Sequence, residues 1–169
     1  MSLLTRLLAR GTVVLANSAS KLQSLQMRLT AGEVNDDLEH FEPSGFTSHP
    51  LAGAEGIAPF IGGARPHAIA LVIADRRYRL QALAAGEVAI YTDEGDRIHF
   101  KRGRIIDIET ATLNIRASSA VNFDTPVINQ TGKIVSTGDQ LAGGISQIKH
   151  VHVGVQAGNG QTGAPAGGQ

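Results

Sequence analysis

Cysteine is absent from this chain. No disulfide framework is possible, and stability has to come from packing, assembly or metal binding through other ligands. Tryptophan is absent too, and five Phe and two Tyr make an aromatic fraction of 4%, so side chains large enough to fill a compact core are scarce. Neither sign of charge is in excess. The 15 Lys and Arg are matched by 15 Asp and Glu, which removes the basic surplus expected of a nucleic-acid-binding surface. Long apolar runs are missing as well. Leu3, Leu4, Leu7, Leu8, Val13, Val14 and Leu15 crowd the start of the chain, but Arg6 and Arg10 interrupt them, so no signal-peptide core is expected. Nowhere does an apolar run reach the ~18 residues of a transmembrane helix, and the chain is expected to be soluble when made. Leu3, Leu4, Leu7 and Leu8 fall at helical spacing, which predicts a short helix over residues 1–10 packed on the domain or on a neighbour.

What is present is β-patterned. Across residues 11–92, segments 12–15, 21–29, 38–41, 56–61, 68–74 and 87–91 carry the β-branched and aromatic residues. Between them lie Asn35-Asp36-Asp37, Glu42-Pro43-Ser44-Gly45, Gly62-Gly63-Ala64-Arg65-Pro66 and Ala84-Ala85-Gly86, which are turn chemistry. Five or six short strands of this kind predict a small barrel of OB-like size, a pattern that a small sandwich would share. The cluster Asp75-Arg76-Arg77-Tyr78-Arg79 could stack on and neutralise nucleic acid. Nearby acids offset it, however, and the plainer expectation is a solvated turn. His40, His49 and His67 have no ligand spacing to one another and are expected on the surface or in loops.

At Asp93-Glu94-Gly95-Asp96 the character changes. Arg97-Ile98-His99-Phe100-Lys101 alternates strictly, and apolar residues then recur as Ile106 and Ile108, Leu113 and Ile115, Val121 and Phe123, Val127 and Ile128, and Ile134. His99 is expected to be a strand-face residue. From Thr110 onward only Arg116, Asp124, Lys133, Asp139 and Lys149 are charged. A regular array of very short strands cannot bury its own apolar face and leaves long unpaired edges. Three chains wound about one axis would cover both, so residues 93–140 are expected to form a triple-stranded β-helix in an obligate homotrimer.

Near the end stands Lys149-His150-Val151-His152-Val153. In an extended strand His150 and His152 share one face. That is metal-ligand spacing but half a site, since a structural zinc takes four protein ligands and a catalytic zinc three. Either further ligands come from elsewhere in the chain, or the same pair arrives from other copies. Three copies would deliver six imidazoles, a donor set that suits an octahedral first-row ion such as iron.

Taken together, the short strands of residues 106–117, the stretch 127–139, Gly-Gly-Ile-Ser-Gln-Ile-Lys-His-Val-His-Val-Gly-Val-Gln at 143–156 and the Gly-rich end containing Thr162-Gly163-Ala164-Pro165 resemble the baseplate assembly protein V family. These are the central spikes of contractile-tailed phages, and the likeness is to the Mu-type spikes, over essentially the whole chain. The resemblance implies an all-β homotrimer with an OB-like barrel at residues 11–92, a triple-stranded β-helix at 93–140 and a narrow apex at 141–169. It implies one iron ion per trimer, or another divalent first-row metal, held by His150 and His152 of three chains. The implied role is to pierce the host outer membrane when the tail sheath contracts. The implied partner is a baseplate hub protein, and the implied location is the virion tail tip after synthesis in the host cytoplasm. No enzymatic activity is expected, because the lysozyme domain of some relatives has no room here. A metal hydrolase would need further ligands converging on a pocket. The alternative is a trimeric β-helical receptor-binding fibre, which should present aromatics or varied polar loops at its tip, and residues after Val155 are bland.

Overall fold

The computed structural model describes residues 7–29, 32–61, 68–154, 156, 158 and 159. Among these every named element is a β-strand, so the all-β expectation holds. The chain divides into two compact units, one running through Arg116 and one starting at Ala117.

In the first unit, β1 (Leu8–Asn17), β2 (Ser24–Arg28), β3 (Val34–His40), β4 (Glu55–Pro59) and β5 (Ile69–Ala74) form one closed sheet in the order β1-β2-β3-β5-β4. Closure comes from β4 returning antiparallel to β1, and β3 pairs with β5 in parallel. Alternation decides which side faces in. On β1, Ala9, Gly11 and Val13 are buried while Leu8, Arg10 and Thr12 are exposed. A bulge between Val13 and Leu15 then resets the phase, so that Ala16 packs against the core. Leu25, Met27 and Leu38 are the largest fully buried side chains, each contributing about 1.5–3 kcal/mol by its burial.

Two further register shifts put single residues into the left-handed region. Asp37 (φ 56°) lies where β3 carries an extra residue opposite β2, a conformation Asp tolerates. Val72 (φ 50°) lies where β5 does the same opposite β4. For a β-branched residue this is strained.

The interior of the closed sheet is tight where β1 passes β2. A Cβ on Gly11 would stand 2.6 Å from the Arg28 carbonyl oxygen and 2.7 Å from Leu29 Cδ2. The first of these is backbone and cannot turn aside. Gly11→Ala is therefore expected to lower stability by about 1–3 kcal/mol, the usual cost of overpacking. Chemical denaturation checks it, and an unchanged midpoint would show that β1 and β2 can separate freely.

The structure corrects three expectations. Leu8–Arg10 belong to β1, so no helix runs to residue 10, because those residues pair with Ala58 and its neighbours on β4; residues 1–6 lie outside the described residues. The strand expected at 87–91 is β6 (Val88–Tyr91), and it pairs with β7 (Arg97–Lys101), not with the closed sheet. The closed sheet therefore ends with β5, well before residue 92. His40, expected at the surface, is 4% exposed. It shares the inward parity of Leu38, and burial holds its imidazole below the usual histidine range despite the opposing pull of Glu42. His49 is exposed and shares a hydrogen bond with the Ser18 hydroxyl at 3.1 Å, while His67 lies outside the described residues.

β6, β7 and β8 (Ile105–Glu109) form a three-stranded antiparallel sheet. Beyond it, residues 110–140 form no strand within the chain. In the second unit the only named strands among the described residues are β9 (Leu141–Ala142) and β10 (Ile145–Ser146), a minimal hairpin.

Candidate metal centre and exposed apolar face

The hairpin is built by its turn. Gly143 and Gly144 both have positive φ, 57° and 82°, as a two-residue turn of the twist-matching kind requires and as glycine accepts without a steric penalty. Asp139 anchors the hairpin from outside. Its Oδ1 accepts the Ile148 amide at 3.2 Å. The Ser146 hydroxyl and the amides of Ile148, Gln140 and Gln147 together hold its carboxyl below the ordinary aspartate range, outweighing the smaller opposing effect of desolvation. A depressed folded-state pKa means that this anchoring is complete above the ordinary range and is lost as pH falls through the depressed value. Asp139→Asn is expected to lower the protection factor of the Ile148 amide against hydrogen exchange at neutral pH, and acid to lower that of the wild type. Exchange indifferent to both would remove Asp139 from the support of this hairpin.

His150 follows directly. Its amide donates to the Ser146 carbonyl at 3.1 Å, and its Nδ1 lies 3.0 Å from the same oxygen and 3.1 Å from the Gln147 carbonyl. Carbonyl oxygens only accept, so Nδ1 carries a proton, and in the neutral ring the lone pair is then on Nε2. Orientation of a ligating histidine by a backbone carbonyl on its other nitrogen is the usual arrangement at metal centres. The His152 ring stands edge-to-face with the His150 ring, centroids 5.1 Å apart at 83°. Both histidines are exposed. Residues 150–152 are not in a strand; they follow a turn at 147–149. The two imidazoles expected to act as a pair are nonetheless adjacent.

The described residues of one chain do not complete a metal shell. Among the described residues no three His, Cys, Asp or Glu gather where a metal could sit. The donor set fits a first-row ion in type, with one imidazole already in the ligating tautomer, but falls short in number.

The β6–β8 sheet is incomplete in a parallel sense. Its register aligns Val88, Phe100 and Ile106 in one row and Ile90, Ile98 and Ile108 in the next. The opposite face carries Arg97 paired with Glu109 at 2.5 Å and Lys101 with Asp107 at 2.7 Å, and His99 there meets Glu87 at 3.1 Å. One face is thus charge-paired, with His99 and Glu87 largely covered. The other is wholly apolar, yet all six of its side chains are exposed, Val88 by 60% and Ile106 by 59%. Leu113, Ile115, Val121, Phe123, Val127, Ile128 and Ile134 are exposed too.

The basic cluster at 75–79 is a turn in which Arg76 and Arg77 are ion-paired. Arg77 binds the Asp75 carboxylate, with its Nε 2.9 Å from Oδ1, and donates to the Ala52 carbonyl at 2.9 Å. Arg76 pairs with Glu55, which Arg10 also reaches.

The family model described as "Bacteriophage Mu Gp45, N-terminal" matches residues 10–77, the span of the closed sheet. That of the "GpV Apex motif" matches 144–166, which contains both histidines. The baseplate puncturing device gp45 of Escherichia phage Mu is 34% identical over 170 residues, covering 90% of this chain and 86% of that protein. The chain belongs to the Mu-type baseplate spike family. Another similar protein is the Mu-like prophage FluMu protein gp45 of Haemophilus influenzae, 37% identical over 158 residues and covering 86% of each chain. Within this family the closed sheet and the hairpin–histidine segment are the two regions that family models match separately. Asp139, Ser146 and Gln147, which build the support under His150, were not singled out by sequence reasoning. Gly143-Gly144 between Leu-Ala and Ile-Ser was the available signal, since a Gly-Gly dipeptide between short apolar pairs reads as a hairpin turn.

Proposed function

We propose that this protein is the central spike at the tip of a contractile tail baseplate, that it works as a homotrimer, and that it pierces the host outer membrane during sheath contraction. The observation that carries the reading is the uncovered apolar face of β6–β8, continued by exposed apolar residues that find no strand partner within the chain. Monomeric soluble proteins rarely leave such a surface wet. Three chains wound together as a β-helix would bury it and pair the free edges. The five-strand closed sheet, read as an OB-like barrel, is then the collar that meets a baseplate hub protein.

In this reading His150 and His152 of three chains hold one iron ion, or another divalent first-row metal. The ion cross-links three chain ends and does no catalysis, since six imidazoles leave no open position. Metal binding becomes folding free energy where the site exists only in the assembled state, which suits a Gly-rich segment of high chain entropy. The protein acts mechanically and not as an enzyme, in the virion, with no nucleic-acid partner. The internal neutralisation of the Arg76–Arg77 cluster supports the last point.

Light scattering with elemental analysis tests the proposal. The expected mass is three times the 17.7 kDa chain, with one metal ion per three chains. A stable, folded monomer would overturn it.

A further inference from the structure

Over four of its strands the closed sheet is apolar outside as well as inside. Ala9, Ala58 and Ala70 belong to the core, so the residues on either side of each point outward. Register lines these up in two rows. Leu8 stands beside Pro59, and the Phe60–Ala68 bridge brings Ile69 to the other side of Pro59. In the next row Ile57 pairs with Leu71. Phe41, just past β3, extends that row, because its amide donates to the Ala70 carbonyl at 3.3 Å. Leu8 is 53% and Phe41 51% exposed, and Ile57 is exposed too. Next to Leu71 the bulge displays Val72, 73% exposed at a φ of 50°. Strained residues persist where surroundings hold them and gather at binding sites. A contiguous apolar face of this kind is rarely left wet on a soluble protein.

The chain carries its own candidate cover. Outside the described residues, Thr30 and Ala31 are small, 62–67 read Gly-Gly-Ala-Arg-Pro-His, and those after Val155 are Ala, Gly, Gln, Thr and Pro. Large aliphatic side chains there belong only to Met1, Leu3, Leu4 and Val155, and Val155 falls in the second unit. Residues 1–6 start from the rim of the face, since the Phe60 amide donates to the Leu7 carbonyl at 3.0 Å and Leu8 is a member of it. Neighbouring strands are about 4.8 Å apart, which places β4, β5 and β3 about 5, 10 and 14 Å from β1 along the sheet. Leu4 precedes Leu8 by four residues, a reach of about 14 Å if extended and about 6 Å if helical. Either path sets Leu4 over the face, with Leu3 next to it.

We propose that the outer face of β1, β4 and β5 is the docking site of the chain's own residues 1–6, with Leu3 and Leu4 laid across Pro59, Ile57 and Leu71. A face covered by its own chain is closed to other proteins while the segment stays in place, so the segment is a strap over the closed sheet. The contact lies within one chain and does not depend on the trimer.

The absence of cysteine makes cross-linking a clean test. In the full-length protein carrying Leu4→Cys with Leu71→Cys, mild oxidation is expected to form a disulfide within the chain, the two Cα atoms coming within the roughly 7 Å that such a bond spans. A control with Leu4→Cys and Leu15→Cys should yield about tenfold less, because Leu15 lies about 23 Å along β1 from Leu8, beyond the reach of Leu4. Non-reducing electrophoresis separates a cross-linked single chain from linked pairs or triplets. In parallel, Leu3→Ser with Leu4→Ser should shift the methyl NMR signals of Ile57, Leu71 and Val72 and leave those of Leu113 and Ile115 in place. Cross-links between chains would give the face to a second copy and overturn the proposal. So would a Leu71 yield no higher than the control, or methyl signals indifferent to the serine substitutions, either of which would leave the face to another protein.

Discussion

In the His150→Ala and His152→Ala proteins, bound iron is expected to fall from one ion per three chains to almost none while the trimer persists. Each substitution removes three of the six imidazoles that the proposed site collects. Disturbing a partner that merely orients a ligand typically costs 10–100-fold in metal affinity, so losing the ligands themselves in triplicate should exceed about a hundredfold. The two histidines are not equivalent in their support. His150 is set by the Ser146 and Gln147 carbonyls and meets His152 through the edge-to-face ring contact. Removing His150 therefore also takes away the ring against which His152 stands. Acid should release the metal from the wild type as well, because only neutral imidazole ligates. Elemental analysis and mass in solution check both halves of the expectation. Full retention of iron by both variants would overturn the site, and dissociation of the trimer by either would show that metal, not apolar packing, holds the chains together.

Phe100→Asp is expected to abolish the trimer. Phe100 is the central residue of the Val88, Phe100, Ile106 row, on the face that the chain leaves uncovered. Phe100 is 44% exposed in the single chain, so covering what remains contributes somewhat under half of the ~1.5–3 kcal/mol of full burial, and three symmetry-related copies contribute about 2–4 kcal/mol. Even the lower bound is about thirtyfold in association, before the cost of desolvating three carboxylates is added. Light scattering should then report the 17.7 kDa chain or its aggregates in place of the trimer. Lys101→Ala, on the opposite face where Lys101 pairs with Asp107, should leave the mass unchanged. A trimer that survives Phe100→Asp would place the interface elsewhere.

The same face shows how much of this molecule could be read before any coordinates. Strict alternation at Arg97-Ile98-His99-Phe100-Lys101 is a local signal, and the sheet obeys it, with Arg97, His99 and Lys101 on the ion-paired side and Ile98 and Phe100 on the apolar side. His40 was legible by the same rule and missed. It lies two residues after Leu38 and so shares its inward face, but its polar type argued for the surface. Over Leu8–Arg10 the helix expected for residues 1–10 gives way to strand for the converse reason. Leucines spaced three and four apart suit a helix, yet from Leu8 the residues alternate equally well against β4, and only the partner strand decides between two periodicities that the same letters satisfy.

Composition and pattern alone therefore determined that the chain is all-β, that core-filling side chains are scarce, and that His150 and His152 are spaced as a pair. These properties depend on residue type and on spacing along a few neighbouring residues. The return of β4 to β1, the desertion of β6 to β7, the burial of His40 and the seating of the His150 ring on the Ser146 and Gln147 carbonyls were decided only by the folded chain. Each depends on groups brought together from separate segments, or on the path of the backbone through a turn, and side-chain periodicity carries no record of either.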